Sequence, residues 1–171
     1  MKIAYFWLTS QGKKIAEEIQ KNLGGDIKSK QDFKFRVKQD FNNYHSLVFI
    51  MSTGIVVRVI ADLIKSKDTD PAVIVLDQQG KFVISLLSGH LGGANALTST
   101  IAEVLGAISV ITTATDIENM IAFDNFAKNN NLIIENLKNL KYISSAMLEH
   151  EKITVFSDFA LQEFDNIIIK N

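Results

Sequence analysis

Short apolar runs alternate with amphipathic stretches along this chain, which is the pattern of an α/β domain. Ile3–Leu8 is uniformly apolar and predicts a buried strand. Ser10 then stands where an N-cap is expected, and Ile15, Ile19 and Leu23 recur at helical spacing until Gly24-Gly25 stops the helix. Phe33–Tyr44 carries two periods. Phe33, Phe35 and Val37 alternate like a strand, whereas Val37, Phe41 and Tyr44 suit a helix, so a helix is expected over the second half. Leu47–Met51 predicts another buried strand, running through Ser52-Thr53-Gly54 into a helical pattern over Ile55–Lys65. Asp70-Pro71 breaks the chain before a strand at Ala72–Leu76; Asp77-Gln78-Gln79-Gly80 turns it, and Lys81–Leu87 returns as a strand. A connection of that length favours a hairpin. Ser88–Asn95 leads into a helix at Ala96–Leu105 that Gly106 ends, then a strand at Ile108–Thr113 and a helix at Phe123–Lys128. Beyond Asn129-Asn130-Asn131, a helix is expected at Asn139–His150, with strands at Ile153–Phe156 and Ile167–Ile169.

These elements predict an α/β fold: a three-layer Rossmann/flavodoxin-like sheet, mostly parallel with one hairpin, and helices on both faces. The change of character after the asparagine cluster places a first unit over residues 1–136 and a further segment over 137–171. A segment that short rarely folds alone.

Composition narrows the function classes. With 171 residues and 47% apolar content, the chain can bury a core without a disulfide or a metal. It has no cysteine, which excludes disulfides, thiolate metal sites and cysteine nucleophiles, and fits a cytoplasmic location. Ile3–Leu8 is too short for a signal sequence, and no apolar run approaches the ~20 residues that span a bilayer, so no membrane partner is expected. Net charge is −1, yet residues 1–50 hold 9 basic and 5 acidic side chains. The excess gathers in Lys28, Lys30, Lys34, Arg36 and Lys38. A nucleic-acid surface would be more basic and interleaved with aromatics. The cluster is therefore either a solvated face or a site for an anionic ligand.

Three polar stretches follow apolar strands. The first is Ser88-Gly89-His90-Leu91-Gly92-Gly93-Ala94-Asn95. Its glycines let the backbone turn sharply and let a ligand approach. The helix behind it is expected to offer free N–H groups and a partial positive charge to a carboxylate or phosphate. His90 can donate, accept or move a proton, and Ser88 and Asn95 add fixed polar groups. The spacing of Gly89, Gly92 and Gly93 is neither the dinucleotide fingerprint nor a P-loop. A structural turn with a satisfied histidine is the plainer alternative. The second stretch, Thr112-Thr113-Ala114-Thr115-Asp116, sits at a strand's carboxyl end, where open α/β sheets bind ligands; it would equally serve as a helix N-cap. The third is Ser52-Thr53-Gly54 with Arg58 one turn into the next helix, suited to a bidentate pair with a carboxylate, or simply a surface arginine. Asp70 and Asp77 read as turn formers, and His45 and His150 have no partners at metal-ligand spacing. Three such loops make one composite cleft for an anionic ligand credible.

Four motifs in order name a family. Leu47–Ala61 (L-V-F-I-M-S-T-G-I-V-V-R-V-I-A), Asp70–Asp77 (D-P-A-V-I-V-L-D), Phe82–Asn95 (F-V-I-S-L-L-S-G-H-L-G-G-A-N) and Val110–Asp116 (V-I-T-T-A-T-D) together resemble the cobalt-precorrin-5A hydrolases of anaerobic cobalamin biosynthesis. The chain departs from the family at Asp62 and Ser109, where proline is frequent, and neither position is expected to carry chemistry. Family members usually continue through a middle segment into a separate C-terminal domain. Here the tail after about Leu137 resembles only the start of that segment, which implies that the C-terminal domain is absent from this chain.

The resemblance implies hydrolysis of the δ-lactone of cobalt-precorrin-5A with loss of acetaldehyde, giving cobalt-precorrin-5B. It implies His90 as general base, Asp116 as its orienting partner or a substrate ligand, and glycine-loop amides as stabilisers of the oxyanion. Thr53, Gly54, Arg58, Ser88, Gly89, Gly92, Gly93, Asn95, Thr112, Thr113 and Thr115 are expected to bind substrate. No cofactor or metal site is expected, because cobalt arrives within the substrate. The implied partners are the cobalt corrinoid, a separate C-terminal domain or subunit, and a second copy in a homodimer; nucleic acid is not among them. Two alternatives remain open: a non-catalytic corrinoid-binding module that needs the C-terminal domain, and a generic anionic-ligand-binding α/β domain.

Overall fold

The computed structural model describes residues 2–67, 69–114, 120–121, 123–130, 132–158 and 167–170. Strands β1 (Ile3–Trp7), β3 (Ser46–Ile50) and β4 (Ala72–Leu76) are buried along almost their whole length. Strands covered on both faces need continuous apolar runs, and these three have them. With β2 (Asp26–Ile27), β5 (Phe82–Leu87) and β6 (Ile108–Val110) they form one sheet in the order β2-β1-β3-β4-β5-β6.

Side-chain parity divides the core into two layers. Ile3, Tyr5, Val48, Ile50, Ile74 and Leu76 face α1 (Ser10–Leu23) and α4 (Ala94–Leu105) through Ile15, Ile19, Leu97 and Ile101. Ala4, Phe6, Leu47, Phe49, Val73 and Val75 face α2 (Phe33–Asp40) and α3 (Thr53–Ile60) through Val37, Val56 and Ile60. The three-layer arrangement with helices on both faces is therefore present. Every strand pairing is parallel except the β4–β5 hairpin, and β6 runs parallel to β5. Hence β5 and β6 both run opposite to the first four strands, which decides where the site residues fall.

Several boundaries differ from the sequence reading, each for a physical reason. The α1 cap is Thr9, not Ser10: its Oγ1 accepts the Gly12 N–H at 3.0 Å. The strand-like alternation at Phe33, Phe35 and Val37 is misleading, because α2 begins at Phe33. Phe35 points outward, 61% exposed, while Phe33 stands edge-on to Phe6 and Phe49, which stack on each other at 5.0 Å. Such contacts add about 0.5–1.5 kcal/mol each to the burial of the rings. β2 is two residues long, too short to leave a period in the sequence. α3 ends at Ile60 rather than Lys65. The buried Asp70 carboxylate accepts the N–H of Lys65 at 2.9 Å and of Ser66 at 3.0 Å, holding that segment as a turn. β6 stops at Val110, short of Thr113.

The chain divides into two compact units at Ile111/Thr112, earlier than the boundary expected after residue 136. Among the described residues, β6 is the last strand of the large sheet, and β7 and β8 pair with each other. The second unit contains α5 (Phe123–Asn129), a 3₁₀ turn (Leu137–Asn139), α6 (Leu140–Leu148) and a parallel pair of strands, β7 (Ile153–Phe156) and β8 (Ile167–Lys170). Among the described residues, no helix is long and apolar enough to cross a membrane.

Candidate functional site

The topology separates the residues that the sequence suggested would form one cleft. Met51–Gly54 follow β3 at the carboxyl edge of the parallel strands, beside Leu76 and the Asp77–Gly80 turn. Because β5 runs the other way, Leu87 pairs with Val73 near the start of β4, so Ser88–Gly93 lie at the amino edge. The lengths of β3 and β4 lie between, about 16 Å at roughly 3.3 Å per residue. The composite cleft is thus corrected: Thr53, Gly54 and Arg58 occupy one edge of the sheet, and Ser88, Gly89, His90, Gly92, Gly93 and Asn95 the other. Thr112 and Thr113 open the second unit, Thr112 exposed and Thr113 half-buried. Thr115 and Asp116 lie outside the described residues.

The glycine loop is folded tightly on itself. Ser88 has φ 59°, the left-handed region that non-glycine residues rarely adopt. Its carbonyl accepts the Ala94 N–H at 3.1 Å, and the Gly89 carbonyl accepts that of Asn95 at 3.0 Å. A Cβ on Gly92 would lie 2.4 Å from Ser88 Cβ, and one on Gly89 would lie 2.7 Å from Asn95 Oδ1. The Ser88 backbone requires glycine at 92, whereas a side chain at 89 would press on the amide of Asn95, the buried core of the loop. Ser85 Oγ donates to Asn95 Oδ1 at 2.6 Å. The Gly93 N–H bonds the His90 carbonyl at 2.9 Å. Three N–H groups at the start of α4, those of Gly93, Ala94 and Asn95, are therefore engaged within the loop. The expectation that the helix start would offer them to an anion is corrected accordingly. Ser88 Oγ is the reverse case: it is buried and has no hydrogen-bond partner among the described residues, although buried hydroxyls are nearly always paired. His90 is half-buried in the same loop.

On the face of the sheet that they cover, α2 and α3 enclose a groove of about 440 Å³. Phe33, Ile55, Val59 and Leu63 make its apolar surface, with Lys34, Lys38, Arg58 and Asp62 around them. Arg58 Nη1 donates back to the Gly54 carbonyl at 2.8 Å, which orients the guanidinium. The basic cluster of the sequence is divided here by function. Lys28 Nζ pairs with Asp40 Oδ2 at 3.2 Å and bonds the Tyr44 hydroxyl, which donates to Asp26 Oδ2 at 2.6 Å. Burial works to lower the Lys28 pKa, but the bonds to Tyr44 and Asp40 outweigh it and hold the pKa above its ordinary value. Arg36 Nε donates to the Gln31 carbonyl at 3.0 Å, and Lys30 lies 5.8 Å from the Trp7 ring centre. Only Lys34 and Lys38 of the five line the groove. Sequence reading did not connect them with Arg58, although their i, i+4 spacing on a helix was the available signal.

The other polar residues are structural. Asp77 accepts the N–H groups of Gln79 and Phe82, both at 2.7 Å, closing the β4–β5 turn. His45 Nδ1 accepts the Lys2 N–H at 3.0 Å. His150 follows α6 with φ 56°.

Comparison with known proteins gives concordant matches. The family described as "Cobalamin synthesis G N-terminal" matches residues 36–116, and "Cobalamin biosynthesis central region" matches residues 121–166. The cobalt-precorrin-5A hydrolase of Salmonella typhimurium (strain LT2) is 40% identical over 174 residues, covering 94% of this chain and 50% of that protein. The cobalt-precorrin-5A hydrolase of Priestia megaterium is 45% identical over 118 residues, covering 69% of this chain and 32% of that protein. The chain therefore spans half or less of the length of these curated relatives. A crystal structure of a cobalamin biosynthesis protein G homolog from Sulfolobus solfataricus shares the fold, with a TM-score of 0.58 at 24% identity, covering 98% of this chain and 52% of that one. The ordered motifs between Leu47 and Asp116, the two matched regions and the identities agree: the chain belongs to the cobalt-precorrin-5A hydrolase family, of which it carries the N-terminal and central regions.

Proposed function

We propose that this chain binds cobalt-precorrin-5A and opens its δ-lactone at the Ser88–Asn95 loop, in the cytoplasm. The observation that carries the reading is the state of that loop. A strained Ser88, whose buried Oγ has no hydrogen-bond partner among the described residues, shares a tight loop with His90, and Gly92 leaves no room there for a side chain. Strain and unmet hydrogen bonds of this kind collect at functional sites. His90 takes a proton from water as the water oxygen bonds to the lactone carbonyl carbon. The tetrahedral intermediate collapses by breaking the ring C–O bond, and His90 returns the proton to the departing oxygen. The freed alcohol then loses its proton as the neighbouring C–C bond breaks. Acetaldehyde leaves, and the macrocycle keeps the electron pair and takes up a proton. The cobalt belongs to the substrate, and the proposal includes no resident cofactor.

A second reading is that the chain is a binding half that needs the remainder of its longer relatives. It is favoured by the Gly93, Ala94 and Asn95 N–H groups, which are engaged within the loop and do not serve an oxyanion. A single-turnover comparison of wild type with His90→Ala and His90→Gln tests the base assignment. A drop of roughly 100-fold or more in both variants is expected for a lost general base. Unchanged turnover in His90→Ala would remove His90 from the mechanism.

A further inference from the structure

We infer that the α2–α3 groove is a second binding site, separate from the Ser88–Asn95 loop, for an amphipathic polycarboxylate. The site's chemistry stands on the groove itself; naming a tetrapyrrole acid as its ligand rests on the corrinoid reading above.

Charge and surface argue together. Lys34 and Lys38 are one helical turn apart on α2, and Arg58 lines the same groove from α3. Against three cations the groove holds one carboxylate, Asp62. Lys34, Lys38 and Arg58 take no part in the Lys13–Glu17 and Lys28–Asp40 ion pairs. Arg58 is held to the Gly54 carbonyl by one N–H, and its planar fork has further donors for a bidentate carboxylate. Between the cations lies apolar surface, with Ile55 39% exposed. Phe33, part of that surface, is anchored in the Phe6–Phe49 stack, so the floor is built on the core of the sheet. The volume of about 440 Å³ falls in the range of small-molecule sites, roughly 300–1,000 Å³. A simple anion would leave the apolar surface wet, and a neutral apolar molecule would leave the cations unmatched. A flat apolar body with carboxylates on its rim satisfies both.

Position decides that this site is a second one. The groove lies between α2 and α3 on one face of the sheet, whereas the glycine loop runs from β5 into α4 on the other. None of the residues that line the groove belongs to the Ser88–Asn95 loop. The groove is therefore suited to holding substrate or product apart from the reacting loop.

The test uses uroporphyrin, which bears carboxylates all around its rim, titrated into the chain and followed by its absorbance. Arg58→Ala, the double variant Lys34→Ala/Lys38→Ala, Arg58→Lys and His90→Ala are compared with wild type. Wild type is expected to bind, with affinity falling as salt rises. Arg58→Ala and the double variant should each weaken binding about tenfold or more, the size of one lost charge-assisted hydrogen bond. Arg58→Lys should retain more affinity than Arg58→Ala, which a merely misfolded groove would not allow. His90→Ala should bind as wild type does. Equal affinity in the groove variants, no binding by wild type, or loss of binding in His90→Ala would each overturn the proposal. Acetaldehyde release from cobalt-precorrin-5A is measured in parallel. Release that persists while uroporphyrin ignores the groove would sink this site and leave the hydrolase reading standing. Groove-dependent binding without release would do the opposite.

Discussion

Gly92→Ala is the sharpest structural test of the loop. The added methyl would lie 2.4 Å from Ser88 Cβ and 2.7 Å from the Ser88 carbonyl oxygen. Normal carbon contact needs about 3.5–4.0 Å, so the gap must open by roughly 1 Å. Ser88 has little room to give: it already sits at φ 59°, and its carbonyl holds the Ala94 N–H. Gly92 itself is not in the left-handed region, so the whole effect is steric. Overpacking costs about 1–3 kcal/mol, and a backbone obstacle places this substitution near the upper end, ~3 kcal/mol. Gly106→Ala is the control. Its φ is 62° with nothing within 4 Å of a built Cβ, so only the conformational penalty of about 1–2 kcal/mol applies. Urea unfolding followed by the fluorescence of Trp7, the single tryptophan, reads the unit that contains both glycines. The reasoning fails if Gly92→Ala is no less stable than Gly106→Ala.

Further outcomes follow from single contacts. Asp70→Ala should lower stability by about 2–3 kcal/mol in the same urea assay, because a buried carboxylate that accepts two backbone N–H groups is lost. Asp77 is pulled two ways: partial burial raises its pKa, but the N–H groups of Phe82 and Gln79, with those of Lys81 and Asp77, outweigh this and hold it below the ordinary 3.8. Its folded pKa is the lower one, so its contribution is present above 3.8 and is lost as pH falls through the folded value. Asp77→Asn should accordingly flatten the acid limb of a stability–pH profile and leave its neutral limb parallel to wild type. Ser88→Ala removes an orphan hydroxyl and keeps the strained backbone, so thermal stability should hold or rise while acetaldehyde release falls. Unchanged release would show that the hydroxyl has no part in the reaction.

Much of this architecture was legible because buried parallel strands leave continuous apolar runs. Ile3–Trp7, Ser46–Ile50 and Ala72–Leu76 were visible for that reason, and the Asp77–Gly80 turn identified the one hairpin. The direction of β6 was not legible. It depends on pairing with β5 across the intervening α4, and no local signal records that choice. The composite cleft failed on β5 instead: the hairpin turns it against β3 and β4, so the loop after it lies at the opposite edge from the loop after β3. The Phe33 misreading has a similar origin. A short aromatic alternation satisfies both periods, and the decision came from Phe6 and Phe49, on strands far along the chain. The candidate loop was recognisable by composition, but its closed N–H groups and the positive φ of Ser88 belong to three-dimensional packing.

The central claim is that residues of this chain open the lactone. Purified chain mixed with cobalt-precorrin-5A, with acetaldehyde measured over time, tests it most directly. The account predicts release at a rate proportional to the amount of chain. A corrinoid absorbance change on binding, with no acetaldehyde formed, would contradict it and leave the chain as the binding half of a longer enzyme.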